Sequence, residues 1–249
     1  DRIGIEESDR MEITCDQPNI PCDQRNLCWK AVELIRLECH LSACARIDLQ
    51  KRVPAGGGLA GGSSNAATVL MLCNRLWNLG LSTDELKKLG KRLGMDVPYY
   101  FAGGTAFDTE ATGILRPIST EVELSFVLVL PEFGVSTASA YAGIDYGTTG
   151  RNCETTAAME TAFLENNPAA VIESVHNDFE YSVFSSYPVL LEIRDALRAA
   201  GCEKSFMTGS GSTMVGVVRT RSEAEAIAAA MGGHRVYVAS TLSQGAPLS

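Results

Sequence analysis

The sequence has few of the residues and patterns that are typical of metal-binding or membrane-spanning proteins. It contains 3 histidines, and none of its 8 cysteines forms a C-x-x-C pair, so no zinc-site spacing is present. Disulfide frameworks are typical of small secreted chains, whereas this chain has 249 residues. No stretch approaches the roughly 18 consecutive apolar residues of a membrane helix, and no signal peptide is recognisable. We therefore expect reduced cysteines, no zinc site and no membrane partner.

Basic charge is also scarce. Lysine and arginine total 21 against 30 for aspartate and glutamate, which gives a formal net charge of -9. An acidic chain without a basic patch is poorly suited to track a phosphate backbone, so we expect no nucleic-acid partner. Small phosphates are still suitable ligands, because backbone N–H groups bind them without adding formal charge.

The composition is otherwise that of a globular protein. Hydrophobic residues make up 45% and charged residues 20% of the chain, and the length allows one large domain or two small ones. Helix and strand patterns are mixed along the sequence and predict an α+β fold. We place the domain boundary near residue 122, which gives domains 1–122 and 123–249.

Apolar periodicity and end signals predict the individual elements. Asn26 is the expected cap of a helix that ends at Glu38, and Ser82 begins a capping box for a helix through Leu93. The other predicted helices are 66–79, one that begins around Pro98, 137–144, 155–164, 169–175, 189–200 and 222–231. The predicted strands are 10–14, 45–53, 103–109, 114–117, 124–130, 205–208, 214–219 and 235–239.

The most informative segment is glycine-rich and lies between the predicted strand 45–53 and the predicted helix 66–79. Five of the seven residues from Gly56 to Gly62 are glycine, which permits positive φ angles and a close approach of ligand to backbone. Together with the start of a helix near Ser63, successive N–H groups in such a turn converge on an anion. The alternative is a tight or flexible surface loop. The glycine-rich segment is not a Walker-type phosphate loop, since no lysine precedes Ser63.

Three other positions have structural interpretations from the residues alone. Asp96 lies between a helix-ending glycine and Pro98, so spacing favours an N-cap role. The segment Gly209–Ser212 lies between two predicted strands and is typical of a hairpin turn. The third case is the tyrosines: Tyr141 is a helical aromatic residue that would face the core, and Tyr99 and Tyr100 are expected to be packing residues.

Four segments taken together resemble the GHMP kinases, the superfamily of galactokinase, homoserine kinase, mevalonate kinase and phosphomevalonate kinase. The segments, in the family's order, are Pro54–Ala67, Gly94–Pro98 with Gly103–Ala106, Asn177–Glu180 and Thr208–Ser212. The first is similar to the family's phosphate loop. Its extended Gly-Gly-Ser-Ser-Asn form is most similar to the branch of the 4-diphosphocytidyl-2-C-methyl-D-erythritol kinases. The resemblance runs from about Asn26 to Thr241.

This resemblance implies the two-domain α+β GHMP kinase fold, with an N-terminal domain like ribosomal protein S5 domain 2 and a ferredoxin-like C-terminal domain. It implies transfer of the γ-phosphate of ATP to the 2-hydroxyl of 4-diphosphocytidyl-2-C-methyl-D-erythritol, in non-mevalonate isoprenoid biosynthesis. Asp96 would be the catalytic base. The residues implied to bind ATP are Pro54, Ala55, Gly56, Gly57, Gly58, Leu59, Ala60, Gly61, Gly62, Ser63 and Ser64. The residues implied to bind substrate are Tyr141, Gly209, Ser210 and Gly211.

The resemblance also implies Mg²⁺, for which Ser63 or Ser64 is a suitable ligand. Its expected partners are ATP and a small-molecule substrate, in a cytoplasmic or plastid monomer or homodimer. The family's Lys-x-Asn strand and Tyr-His pair have no match between Asp1 and Asn26, and we expect them to lie upstream of Asp1. The alternatives are another GHMP kinase, acting on homoserine, a mevalonate or a sugar, and a non-catalytic nucleotide-binding relative, against which the retained Asp96 argues.

Overall fold

The structure is a computed structural model and describes residues 1–108, 115–145, 147, 149–150 and 153–242. These residues divide into two compact units. Unit 1 comprises Asp1–Ala55 and Ala60–Pro117, and unit 2 comprises Gly56–Leu59 and residues 118–242. The domain boundary near residue 122 stays a prediction. No helix within the described ranges is long and apolar enough to cross a membrane.

Unit 1 contains a three-stranded sheet, a two-stranded sheet and helices. In chain order its elements are β1 (Arg2–Ser8), β2 (Glu12–Cys15), α1 (Leu27–Glu38), β3 (Cys44–Gln50), α2 (Gly61–Leu76), α3 (Thr83–Leu93), α4 (Tyr99–Ala102), β4 (Thr105–Asp108) and β5 (Leu115–Ile118), of which only Ile118 groups with unit 2. The larger sheet has the order β1-β3-β2, with β1 antiparallel and β2 parallel to β3. Strands β4 and β5 form the smaller sheet.

The core of unit 1 follows the alternation of β3. Ala45, Ile47 and Leu49 are each at most 1% exposed and belong to one cluster with Ile35 of α1 and Leu70 of α2. Full burial of a side chain the size of Ile47 or Leu49 contributes about 1.5–3 kcal/mol to stability. The alternation along β3 therefore determines which face of the sheet the helices cover.

The predicted end signals of two helices in unit 1 are confirmed. Asn26 accepts a hydrogen bond from the Cys28 N–H at the start of α1. At the start of α3, Ser82 and Glu85 form the reciprocal capping box, and Gly94 ends the helix. These caps fix where α3 stops and therefore where the turn that carries Asp96 begins.

Unit 2 is built on a four-stranded antiparallel sheet. Its elements are β6 (Ser125–Leu130), α5 (Thr137–Ala142), α6 (Cys153–Leu164), α7 (Pro168–Glu173), α8 (Phe179–Ser186), α9 (Val189–Ala199), β7 (Lys204–Met207), β8 (Met214–Val218), α10 (Arg221–Ala230) and β9 (Arg235–Ser240). The strand order is β7-β8-β6-β9. This order is the ferredoxin-like arrangement that the resemblance implies.

Apolar clusters cover both faces of the unit 2 sheet. Val127 and Met214 pack in a cluster with Leu197 of α9, whereas Val217 packs in a separate cluster with Val171 of α7. Because neighbouring residues of a strand point to opposite faces, β8 is buried along its whole length. Its two ends are therefore rigidly placed, including the end that follows the Gly209–Ser212 segment.

The sequence patterns do not predict β1 or α8. β1 contains the charged residues Arg2, Glu6 and Glu7, and it is stabilised by pairing with β3 over its full length, from Arg2 opposite Gln50 to Ser8 opposite Cys44. At the start of α8 the Phe179 N–H donates to Asn177 Oδ1 at 3.0 Å, a local bond from the residue before the N-cap position that the apolar periodicity does not indicate.

Candidate active site

The glycine-rich segment leads from the end of β3 into α2; its residues 54–60 are called the first loop below. Gly56 and Gly58 both have a φ of +74°, and Ala60 has a φ of +49°. Helix α2 begins at Gly61, earlier than the predicted helix 66–79 and the predicted helix start near Ser63. Glycine at this position lets the helix pack closely, since a Cβ on Gly61 would lie 3.0 Å from Val53 Cγ1.

The N-terminus of α2 presents backbone donors. The Ser64 N–H donates to the Ala60 carbonyl at 3.1 Å, which is the first bond of the helix, so the N–H groups of residues 61–63 precede it. No side chain in the described part of the chain caps this helix end. These donors and the positive end of the helix dipole are the features that the predicted anion site requires.

Two carboxylates hold the segment that enters the first loop. Asp1 accepts hydrogen bonds from the N–H groups of Arg52 at 2.6 Å and Val53 at 2.8 Å, and it pairs with the Lys51 ammonium. Asp16 accepts from the Lys51 N–H at 2.8 Å. The Lys51 and Asp1 side chains are only 7% and 5% exposed, and burial lowers the pKa of Lys51. The sequence patterns singled out neither residue, because the pair joins positions far apart in the chain.

Asp96 lies on the turn between α3 and α4. Helix α4 begins at Tyr99, with Pro98 at the N-cap position and no side-chain cap, so the N-cap interpretation of Asp96 is wrong. Asp96 is exposed, and within the described ranges its carboxylate accepts no hydrogen bond and forms no ion pair. A carboxylate in this state is available to a substrate.

Contacts within unit 1 connect the Asp96 turn to the first loop. Tyr100, partly buried against the core as predicted, donates its hydroxyl to the Ala60 carbonyl at 3.3 Å. Burial and the nearby charge of Asp96 raise the pKa of Tyr100, which keeps this donor protonated. Gly90 allows α3 to approach the same turn, since a Cβ there would lie 2.9 Å from Val97 Cγ1. Asp96 and Ala60 are therefore linked through Tyr100.

A second glycine-rich segment, residues 208–213, joins β7 to β8 and is called the second loop below. The Thr208 N–H donates to the Thr213 carbonyl and the Gly211 N–H donates to the Thr208 carbonyl, both at 3.0 Å. Gly209 and Gly211 have φ values of +54° and +88°. The predicted hairpin turn is confirmed, because β7 and β8 pair on either side of it.

The second loop contacts Gly57 and Gly58 of the first loop, which group with unit 2. The Thr213 N–H donates to the Gly57 carbonyl at 3.2 Å, and the Thr208 hydroxyl donates to the Gly58 carbonyl at 3.3 Å. A Cβ on Gly58 would lie 2.3 Å from the Thr208 carbonyl oxygen, so only glycine fits there. No local pattern indicates this contact, because Thr208 and Gly58 are 150 positions apart.

Tyr141 lies on α5 and is 53% exposed, so its interpretation as a core residue is wrong. Its ring packs edge-to-face on Phe179, with the ring centroids 4.9 Å apart. Thr137, at the start of the same helix, shares a hydrogen bond of 3.1 Å with the Ser210 hydroxyl. The structure thus ties the helix of Tyr141 to the second loop, which contains the other candidate substrate-binding residues.

Comparison with known proteins identifies the family. The chain matches the family model of the GHMP kinase N-terminal domain over residues 26–104 and that of the GHMP kinase C-terminal domain over residues 159–236. A 4-diphosphocytidyl-2-C-methyl-D-erythritol kinase of Synechococcus sp. (strain JA-2-3B'a(2-13)) is 38% identical over 217 residues, which cover 84% of this chain and 70% of that protein. The chain belongs to the GHMP kinase family.

Solved structures of GHMP kinases share the fold described above. A 4-(cytidine 5'-diphospho)-2C-methyl-D-erythritol kinase matches with a TM-score of 0.76 and 26% identity, covering 96% of this chain and 84% of that chain. A homoserine kinase from Cytophaga hutchinsonii ATCC 33406 matches with a TM-score of 0.81 but only 17% identity, covering 98% of this chain and 86% of that chain. The second similarity shows the fold alone.

The described part of this GHMP kinase has few side chains placed to bind a metal ion. Over the described ranges, no three histidine, cysteine, aspartate or glutamate side chains are arranged to hold a metal ion. Ser63 and Ser64 are half-buried in the first turn of α2, where Ser64, with Asn65 and Thr68, lines a cavity of about 460 Å³ in unit 1. A hydroxyl here suits a Mg²⁺ ion that keeps most of its coordination shell on phosphate oxygens and water.

Proposed function

We propose that this GHMP kinase transfers the γ-phosphate of ATP to the 2-hydroxyl of 4-diphosphocytidyl-2-C-methyl-D-erythritol. The similarity to curated kinases that carry this substrate's name supports the assignment most strongly. The extended Gly-Gly-Ser-Ser-Asn sequence at residues 61–65 points to the same branch. The fold alone does not select the substrate, because GHMP kinases of different specificity share it.

We assign the triphosphate of ATP to residues 54–64. The N–H groups of residues 61–63 and the dipole of α2 attract the phosphates without requiring a cationic side chain, which suits a chain with a net charge of -9. Lys51 lies beside this helix start, with its Nζ 3.4 Å from the position of a Cβ on Gly61. Since Lys51 pairs with Asp1, it anchors the loop rather than supplying a free charge.

Asp96 is the proposed general base. As the substrate oxygen bonds to the γ-phosphorus, the hydroxyl proton passes to the Asp96 carboxylate. The bond between the γ-phosphorus and the β–γ bridging oxygen breaks, and ADP leaves. The exposed carboxylate, which has no partner among the described residues, supports this role, and the link through Tyr100 to Ala60 fixes the turn relative to the start of α2.

Mg²⁺ is the proposed metal, brought in with ATP. When bound, it neutralises charge that develops on the transferring phosphoryl group. The hydroxyl of Ser63 or Ser64 is the ligand that this chain would supply. The reaction compartment that we propose is the cytoplasm, or a plastid.

The substrate is assigned to Tyr141 and to Gly209, Ser210 and Gly211. The exposed ring of Tyr141 is available for stacking on the cytosine base, while its edge contact with Phe179 fixes the ring plane. The second loop offers the backbone N–H groups of Gly209 and Ser210 to the substrate's phosphates, since that of Gly211 bonds to the Thr208 carbonyl, and its Ser210 hydroxyl is oriented by Thr137.

The direct test is to incubate the protein with Mg-ATP and 4-diphosphocytidyl-2-C-methyl-D-erythritol and to follow the phosphorus NMR spectrum. We expect a new phosphomonoester resonance and one ADP per product. Asp96→Asn should lower kcat by about 10²–10⁴-fold without changing the unfolding temperature. Asp84→Asn is the matched control in the same unit, since Asp84 is exposed and pairs only loosely with Lys87 at 3.6 Å.

Three results would contradict the proposal or a part of it. Transfer to homoserine, mevalonate or a sugar in place of the cytidyl substrate would assign the chain to another branch. ATP binding without transfer to any alcohol would make it a nucleotide-binding relative. Near-normal turnover in Asp96→Asn would remove Asp96 from its role as base.

A further inference from the structure

The Asn177–Glu180 segment has no role in the reaction as proposed above, yet its side chains bond to the backbone around the second loop. Asn177 Nδ2 donates to the carbonyl oxygens of Met207 at 2.6 Å and Gly209 at 2.8 Å. Glu180 Oε1 accepts from the Met207 N–H at 2.7 Å. Both main-chain polar groups of Met207 are therefore satisfied by side chains from this one segment.

These bonds take the place of a neighbouring strand. β7 is an edge strand of the sheet, and Thr208 bonds across the hairpin to Thr213. Because main-chain polar groups alternate between the two sides of an antiparallel strand, those of Met207 face away from β8. Asn177 supplies the donor and Glu180 the acceptor that this free edge requires.

The amide of Asn177 has one favourable orientation. Its Oδ1 accepts from the Phe179 N–H at 3.0 Å, at the start of α8, so its NH₂ group is directed at the two carbonyls. Aspartate has nearly the same shape and would keep the bond to Phe179. It has no donor when ionised, however, and would oppose two carbonyl oxygens.

The second loop extends this restraint to the first loop. Thr213 and Thr208, at its two ends, donate to the carbonyls of Gly57 and Gly58. Met207 and Thr208 are adjacent in the chain, so a shift of Met207 moves the Thr208 hydroxyl and carbonyl. Every residue in this series belongs to unit 2.

We propose that Asn177 and Glu180 are positioning residues that hold the second loop in its substrate-binding conformation and, through it, hold Gly57 and Gly58 of the ATP-binding loop. This inference rests on the proposed function and deepens it. A positioning residue of this kind acts on binding, so its loss raises the KM for both substrates. The loss of Asp96, in contrast, lowers kcat.

The sharpest variant is Asn177→Asp. We expect the KM values for ATP and for the cytidyl substrate each to rise about tenfold, with kcat changed far less, because two hydrogen bonds are lost. Lowering the pH should reduce these KM values, since a protonated Asp side chain regains one donor. Asn167→Asp is the matched control, because Asn167 caps α7 through its oxygen alone and aspartate caps equally well.

Glu180 provides an independent pair of variants. Glu180→Gln keeps an acceptor oxygen for the Met207 N–H, so its KM values should stay near those of the parent. Glu180→Ala removes the acceptor and should raise both KM values severalfold. In hydrogen exchange without substrate, the Met207 amide should lose protection in Glu180→Ala and keep it in Glu180→Gln.

The exchange measurement separates this inference from the proposed function. A parent protein that phosphorylates no cytidyl substrate would overturn the proposed function, whereas the exchange of residues 207–213 would still test the restraint. Unchanged KM values and unchanged exchange in Asn177→Asp and Glu180→Ala would overturn the positioning role, as would a fall in kcat alone. If Asn177→Asp does not unfold cooperatively, the Glu180 pair decides.

Discussion

The two glycine-rich loops of this GHMP kinase are held in place by different means. The first loop requires glycine: Gly56 and Gly58 have positive φ angles, and Gly58, which has no side chain, leaves room for the Thr208 carbonyl. The second loop also contains glycines, but it is fixed by the side chains of Asn177 and Glu180. Replacing a glycine with alanine should therefore destabilise the first loop most, whereas removing a hydrogen-bond partner should destabilise the second loop.

The largest effect is expected at Gly58. Gly58→Ala combines a left-handed backbone with a Cβ 2.3 Å from the Thr208 carbonyl oxygen, and should cost about 3 kcal/mol or more in the free energy of unfolding. Gly56→Ala is the matched control, since Gly56 has the same φ of +74° but no atom of the described residues within 4 Å of its Cβ position. It should cost only about 1 kcal/mol. Denaturant unfolding measures both, and equal costs would show that the contact with Thr208 is unimportant.

A smaller effect is expected at Gly209 in the second loop. Gly209 has a φ of +54°, and its Cβ would lie 3.1 Å from the Gly58 carbonyl oxygen, a milder contact than the one at Gly58. Gly209→Ala should cost about 2 kcal/mol in thermal or denaturant unfolding. Gly232→Ala, at a position where no described residue comes within 4 Å of the added Cβ, should change stability by less than about 0.5 kcal/mol. A cost at Gly209 as large as at Gly58 would remove the distinction between the loops.

The two threonines of the second loop should respond in opposite directions to the loss of a hydroxyl. Thr208→Val removes the bond to the Gly58 carbonyl and should cost about 1 kcal/mol. The Thr213 hydroxyl is buried without a partner among the described residues, so Thr213→Val should be neutral or stabilising by up to about 1 kcal/mol. Unfolding free energies of the two variants test this, and destabilisation by Thr213→Val would reveal a bond that the structure lacks.

The smallest effect concerns the charge of Glu180. Burial raises the pKa of Glu180 above its ordinary value of 4.5, against the opposing hydrogen bond from Met207. The folded chain then holds this proton more tightly than the unfolded chain, so the stabilising effect of protonation is lost as pH rises through the raised pKa. Glu180→Gln has no charge there. Its stability relative to the parent should increase from about pH 4 to pH 7, and a difference independent of pH would contradict this.

Much of the fold is predictable where the signal is local. The Asn26 cap and the Ser82 capping box each act within one helical turn, so the residue types alone indicate them. The start of α2 is not predictable in this way. Gly61 and Gly62 have low helix propensity, and the reason for glycine at Gly61 is the approach of Val53 Cγ1 to 3.0 Å from its Cβ position, a contact that no local pattern indicates.

The candidate site also combines features with a local sequence signal and features that depend on long-range contacts. The first loop and Asp96 belong to short motifs, and those motifs suffice to propose a phosphate site and a base. The exposure of Tyr141 could not be predicted, because α5 has only six residues and too few turns to define an apolar face. The bonds from Asn177 to Met207 and from Thr208 to Gly58 connect positions 30 and 150 residues apart, which no local pattern encodes.

The grouping of Gly56–Leu59 with unit 2 bears on how members of this family can be recombined. A chimaera joined only at Pro117 would take Gly57 and Gly58 from one parent but Thr208 and Thr213 from the other. The first loop of one parent would then contact the second loop of the other parent, whose own first loop differs in sequence. Exchange of residues 56–59 together with residues 118–242 keeps the matched pieces together, so the natural module for swapping is discontinuous in the gene.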